Sequence, residues 1–348
     1  MRTLPLRAAL KRGALITIAN WPVVIIDFTI ESFYKLALSI PILGGALVVA
    51  AIIGTDLGAV VDEGVRATAD VVIGSLITAP VALLAFLMAL AVVALGGALL
   101  MFTLKSGTLS VLIRGERDAG ELHAQPIRWE TIRRGSAYTL DAVVGGVRRF
   151  GRRALVLSLW FGCADLVVGV FYLSVMGYGL SLAVKLPWLP AWPLLVIVAT
   201  TIAVVGIVAI NLSYDLLRVI VVTDDCSVRT ALTRLRLFVT EDSRQVVGIF
   251  SVIGGVMILA TVASVLAAAG LAAVAWVPLF GLVVVPLQAG AWIARGLAFQ
   301  YLSLSTLAAY QTQYRRFSDG RWGTSETPTE FVTPVRGPSD PGATHRSP

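Results

Sequence analysis

The sequence predicts an all-α integral membrane protein with six transmembrane helices, and three observations lead to that fold class. First, 57% of the 348 residues are hydrophobic and only 14% are charged, with a mean hydropathy of +0.84. Soluble domains run nearer 45–50% apolar and about a quarter charged. Second, the apolar residues come in blocks too long for buried strands: residues 71–104 contain no charge at all. A membrane helix needs only about 20 such residues, because each adds about 1.5 Å across a hydrocarbon core of about 30 Å. Third, Lys and Arg gather in alternate connections, as they do on the cytoplasmic side of membrane proteins.

Taken in order, the basic start (Arg2, Arg7, Lys11, Arg12) and the apolar 14–30 run broken by Pro22 read as an interfacial segment over about 2–30. Asn20, Asp27 and Glu31 in that stretch, and the lack of a small-residue cleavage site, argue against a secretory signal. Spans follow at about 31–54, 72–103, 154–184, 192–222, 246–270 and 276–310. The 55–71 connection has Arg66 against Asp56, Asp62, Glu63 and Asp70. By contrast, 105–153 carries Lys105, Arg114, Arg117, Arg128, Arg133, Arg134, Arg148, Arg149, Arg152 and Arg153. The 185–192 connection has only Lys185 between aromatic-belt candidates, Trp188 and Trp192. With the N-terminus, 105–153, 218–244 and the C-terminus all inside, six crossings satisfy the positive-inside rule, and a seventh would put one basic group on the wrong side. The membrane domain thus covers 1–317. The Pro-, Gly-, Ser- and Thr-rich stretch 318–348 reads as a disordered cytoplasmic tail, since it has too little apolar surface to bury.

Two further basic segments, 136–153 and 227–241, carry apolar residues at spacings of three and four with arginines on the other face. That is the pattern of a helix lying in the headgroup plane. Asp225 or Ser227 is placed to cap the second. Each interfacial segment precedes a hairpin of spans, so the chain reads as three repeats of interfacial helix plus hairpin, although any six-pass protein with basic inner loops shares that outline.

The polar residues inside the spans are the candidate site. Asn211, Asp215 and Arg218 stand at i, i+4 and i+7 on one helical face. Asp27, Glu31 and Lys35 stand at i, i+4 and i+8 near the start of the first span, as a secondary group. Gln288 and Arg295 share a face of the last span, and Asp165 is the lone carboxylate of 154–184. Asp165 or Asp215 is the natural partner for Arg295. These groups either bind a headgroup, ion or proton, or join helices whose apolar surfaces cannot drive association in lipid. Gly44, Gly45, Gly96, Gly97, Gly254 and Gly255 suit close helix approach.

Chemistry-bearing motifs are scarce. The two histidines, His123 and His345, give no metal cluster or catalytic triad, and Cys163 and Cys226 read as free thiols. The stretch 106–123 is glycine-containing but lacks the G-K-[ST] ending of a phosphate loop, and reads as a solvated loop. No catalytic residue, cofactor or metal site is assigned, and no nucleic-acid-reading module appears. Anionic lipids of the inner leaflet, and a second membrane protein, are the expected partners.

SGTLSVLIRGERDAG (106–120), YDLLRVIVVTDDCSVRTALTRLRLFV (214–239) and ARGLAFQYLSLSTLAAYQTQYRR (294–316) resemble segments of a loose superfamily of uncharacterised bacterial multi-pass inner-membrane proteins. It includes the membrane domain attached to some glycerophosphodiester phosphodiesterases. The resemblance implies an inner-membrane location. It transfers no phosphodiesterase activity, because only a short tail stands where those enzymes have their soluble domain. The expected function is therefore a non-enzymatic, membrane-organising or scaffold role. A transporter component using the Asp/Arg cluster is the alternative, and a lipid-acting intramembrane enzyme comes third.

Overall fold

The computed structural model describes residues 4–53, 80–120, 129–185, 191–275 and 281–322. The expected 55–71 connection, the first residues of the expected 72–103 and 276–310 spans, residues 121–128 and 186–190, and the tail from 323 lie outside those residues. Among the described residues every regular element is a helix: α1 (Leu6–Ala19), α2 (Trp21–Ile53), α3 (Pro80–Asp118), α4 (Trp129–Arg134), α5 (Leu140–Lys185), α6 (Ala191–Thr223), α7 (Val228–Glu241), α8 (Ser243–Ala275) and α9 (Gly281–Trp322).

Four of these helices, α3, α5, α6 and α8, are long and apolar enough to cross a membrane, and α1 with α2 makes a fifth if that bent pair is one span. The bend between α1 and α2 is 80°. It falls at Asn20, immediately before Trp21-Pro22, where a proline early in the second helix is tolerated because its missing N–H would have no helical partner. Asn20 is used on both sides of the bend. Its amide nitrogen donates to Gly135 O (2.8 Å) and its Oδ1 accepts from Ala137 N–H (2.9 Å), tying the corner to the α4–α5 linker.

Burial divides each long helix in two. Toward one end, apolar side chains lie on the surface: Phe33, Leu36 and Ile40 of α2, Leu84, Met88, Val92, Leu95 and Leu100 of α3, Leu166, Val170 and Leu173 of α5, and Leu194, Ile202 and Val205 of α6. Surface of this extent suits lipid and not water. Toward the other end the same helices pack into a body with α1, α4 and α7. One apolar cluster joins Ile16, Val23, Leu109, Leu112, Val143, Phe150, Val219 and Leu304. A second joins Leu157, Tyr214, Leu217, Ile220, Phe238, Ile249, Tyr310 and Tyr314.

Two helix approaches in this body depend on glycine. A Cβ on Gly13 would lie 2.6 Å from Ser305 O and 2.8 Å from Ala309 N, so α1 can meet α9 only without one. At Gly107 a Cβ would lie 2.5 Å from Val143 O where α3 crosses α5. The glycines expected to serve this purpose mostly do not. Gly44, Gly96, Gly254 and Gly255 face open space and Gly97 is closely covered by Tyr34, while the surroundings of Gly45 lie outside the described residues.

Several sequence expectations change. Residues 106–118 are not a solvated loop: they continue α3 into the body, with Ser106, Thr108, Leu109, Leu112 and Glu116 buried. Residues 140–153 are not a separate interfacial helix but the first turns of α5, packed along α3. The 227–241 segment is a helix of its own, with Ser227 as the capping residue accepting from Thr230 N–H at 3.3 Å. Within 276–310, the described part of α9 is not among the helices apolar enough to span, and α9 runs on to Trp322, into the stretch expected as tail.

Candidate functional site

Three groups of polar side chains are organised by the meeting of these helices. The deepest in the body is centred on Glu116 of α3. Its carboxylate accepts from Arg12 Nη2 (2.8 Å) and Nε (3.1 Å) of α1, and from Arg315 Nη1 (2.7 Å) of α9. Arg12 also donates to the carbonyls of Glu116 (3.2 Å) and Gly120. Gly120 ends α3 with φ +56°, the left-handed conformation that closes a helix without a side-chain clash.

The second group is the acidic turn between α6 and α7. Asp224 accepts from Arg234 of α7 and from the Tyr314 hydroxyl of α9. Asp225, itself left-handed at φ +47°, accepts from Arg149 and Arg153 of α5. Partial burial works to raise the Asp225 carboxyl, but the two arginines outweigh it and hold it below the usual carboxylate range. The Tyr314 phenol is pushed up by burial and by donating to Asp224. Asp242 lies at the start of α8, where burial raises its carboxyl against the opposing effect of a bond from Gln313 (3.0 Å). Half-burial and the charge of Asp224 push the Cys226 thiol up, away from the reactive thiolate.

The third group lies where the buried body gives way to the exposed apolar halves, and most of the sequence-predicted residues fall there. Glu31 of α2 accepts from Lys35 (2.8 Å), from Lys105 of α3 (3.0 Å) and from Gln300 of α9. Arg218 is buried, 3.7 Å from the half-exposed Asp215, and lies over the Tyr214 ring at 5.5 Å. Tyr214 bonds in turn to Ser158 of α5 (3.2 Å). Asp27 is buried nearby, with Thr108, Lys105 and Arg218 facing it. Asp27 Oδ1, Arg218 Nε and the Tyr310 hydroxyl are buried and make no hydrogen bond among the described residues.

No protein-family model, curated protein or solved structure matches this chain. The chemistry therefore rests on the geometry alone.

That geometry splits the expected cluster. Asp215 and Arg218 are together, and Asp27, Glu31 and Lys35 belong to the same boundary layer. Arg295 pairs with neither Asp165 nor Asp215. Its guanidinium lies over the Phe299 ring at 5.6 Å and lines a cavity of about 400 Å³ with Glu31, Lys35 and Gln300. Asp165 keeps a buried Oδ1 without a hydrogen bond among the described residues, and Asn211 and Gln288 are exposed. The Glu116 and Asp224/Asp225 groups were absent from the sequence candidates. Gly107 and Gly115, eight residues apart and both tightly covered, are the signal that 106–118 is a packed helix face carrying its one buried carboxylate inward. Among the described residues no group of His, Cys, Asp and Glu could hold a metal ion.

Proposed function

We propose that this chain is a six-span bacterial inner-membrane protein, with both termini cytoplasmic, that serves as a non-enzymatic scaffold in the envelope. The observation that carries the reading is the ion-pair web of the body, in which Glu116 joins α1, α3 and α9, and Asp224 and Asp225 join α5, α7 and α9 around the end of α6. Charged groups held by one another across distant helices fix a shape and leave few free for chemistry. The exposed apolar halves supply lateral surface for lipid and for a second membrane protein. The basic body supports the cytoplasmic assignment. The separate helices α1 and α7, each leading toward a long apolar helix, are consistent with a repeating unit of short helix plus hairpin, which α5 modifies by fusion.

Photo-crosslinkers placed in cells at Ile202 and Val205, three residues apart on one exposed face of α6, should trap one and the same membrane protein. Scattered products from the two sites would count against a scaffold. The transporter alternative draws on the unmet Asp27, Arg218 and Tyr310 atoms, which sit between α2, α6 and α9 as relay groups do. Vesicles containing the full chain should show no proton flux that Asp215→Asn abolishes. Such a flux would overturn the scaffold in favour of transport.

A further inference from the structure

The cavity beside Arg295 is lined from three helices: Phe28, Glu31 and Lys35 of α2, Thr261 of α8, and Trp292, Arg295 and Phe299 of α9. Its charge is unevenly committed. Glu31 is held by Lys105, Lys35 and Gln300, so its negative charge is matched from behind. Arg295 is exposed and lies over the Phe299 ring, with no ion pair among the described residues. Lys35 gives one bond to Glu31, and its side chain remains 63% exposed. An ammonium has three donors and a guanidinium five, so most of the donor capacity of this pair is left open to a ligand at the groove they line. Lys35 and Arg295 against Glu31 leave the lining with an excess of positive charge, and Lys105 adds a further positive charge behind Glu31.

The walls decide what kind of anion fits. Phe28, Trp292 and Phe299 are apolar or amphipathic, and the groove lies beside the exposed apolar surface of Leu36, Ile40, Trp292 and Ile293. A small hydrated anion would gain nothing from those walls, whereas an amphiphile would lay its chains along α2 and α9. Tryptophan at such a level is typical of the headgroup zone. We infer that this groove binds an anionic phospholipid, with its phosphodiester held by Arg295 and Lys35 and its acyl chains on the adjoining apolar face. Guanidinium and phosphate match in geometry, so Arg295 provides the directional contact and Lys35 a point charge. The inference rests on the membrane placement proposed above, but not on which side is cytoplasmic.

Native mass spectrometry of the full chain in detergent, titrated with phosphatidylglycerol, phosphatidylcholine or inorganic phosphate, reads the groove without reference to leaflet or topology. Phosphatidylglycerol should bind more tightly than phosphatidylcholine, and inorganic phosphate should not displace it. Arg295→Gln and Lys35→Gln should each weaken phosphatidylglycerol binding about tenfold or more, the effect of losing a charge-assisted hydrogen bond. Arg229→Gln, which removes an equal charge from an exposed position on α7, should leave it unchanged. Thr261→Trp, which fills the groove without altering its charge, should also weaken binding and covers the case of a charge variant that fails to fold. The inference is overturned if Arg295→Gln and Lys35→Gln fall no further than Arg229→Gln, if Thr261→Trp binds like wild type, or if inorganic phosphate competes. Cysteine labelling from either side of intact membranes tests the placement separately.

Discussion

Replacing Glu116 by Ala should be among the most damaging single changes in the body, and the structure gives its size. The Glu116 side chain is 5% exposed and that of Arg12 is 8% exposed, so removing the carboxylate leaves a guanidinium inside a body that excludes water. Breaking a buried pair from one side costs about 3–5 kcal/mol, because the remaining charge is uncompensated. Arg12 keeps the carbonyls of Glu116 and Gly120 as acceptors, which places the expectation near the lower end, about 3 kcal/mol. Arg315, bonded to the same carboxylate, is 35% exposed, and Arg315→Ala should cost only about 0–1 kcal/mol after solvent screening. Thermal unfolding of the purified chain in detergent, read by intrinsic fluorescence at a fixed scan rate, would compare the two. The scale is about 2–4 °C per kcal/mol for domains of about 150–250 residues, and is an upper bound for this longer chain. Glu116→Ala should therefore lower the midpoint by up to roughly 6–12 °C and Arg315→Ala by no more than about 4 °C. The double replacement Arg12→Met with Glu116→Leu should recover most of the loss, since no charge is then left buried. Equal midpoints for Glu116→Ala and Arg315→Ala, or no recovery in the double variant, would refute the argument.

Gly107→Ala should lower the midpoint by an amount equivalent to about 1–3 kcal/mol, because the new methyl meets the carbonyl of Val143, while Gly44→Ala should be neutral or better. Asp225 predicts an acid effect of definite sign. Its folded carboxyl is depressed, so its contribution is present above the ordinary carboxylate pKa of about 3.9 and is lost as pH falls through the lower folded value. The midpoint difference between wild type and Asp225→Asn should be steady near neutrality and shrink below about pH 4, and a difference independent of pH would contradict the pairing. Asp242, whose folded carboxyl is raised, acts in the opposite sense: its contribution is present below the ordinary value and is lost as pH rises through the folded one. Asp215→Ala should lower the amount of folded protein in membranes, since it leaves the buried Arg218 without its carboxylate. Normal abundance with loss of phenotype would favour a functional role instead.

Composition and periodicity made the helical membrane class legible because those signals are local: a charge-free run such as 71–104 has few other solutions. The cap at Ser227 and the 228–241 helix were legible for the same reason, since capping is chemistry within one turn. What could not be read was how far each helix continues past the apolar run. Lys105 looks like the end of a span, and the glycines and charges that follow it look like a loop. Yet 106–118 stays helical because Gly107 and Gly115 let α3 approach α5 and the 135–137 linker, a gain visible only when those partners are in place. The same limit hid Glu116. A carboxylate between Gly115 and Arg117 in sequence says nothing of Arg12 and Arg315, which lie 104 and 199 residues away.

The helical-face rule succeeded for Asp215 and Arg218, three residues apart, and failed for Arg295, whose partner had to be guessed across helices. Counting charges within apparent spans also misjudged their depth. Arg295 seemed central in 276–310, but Gln300, Ser305 and the residues after them are buried in the body with the hydrophilic ends of the other helices. Arg295 therefore stands at the edge of the apolar zone, level with Glu31, Lys35 and Lys105. A charge at that edge escapes most of the roughly 2.5–3.5 kcal/mol that the membrane centre imposes, and needs no buried counter-ion to persist. Its lack of a carboxylate partner among the described residues is then an open valence toward the boundary layer, where the anionic groups of a bilayer are concentrated.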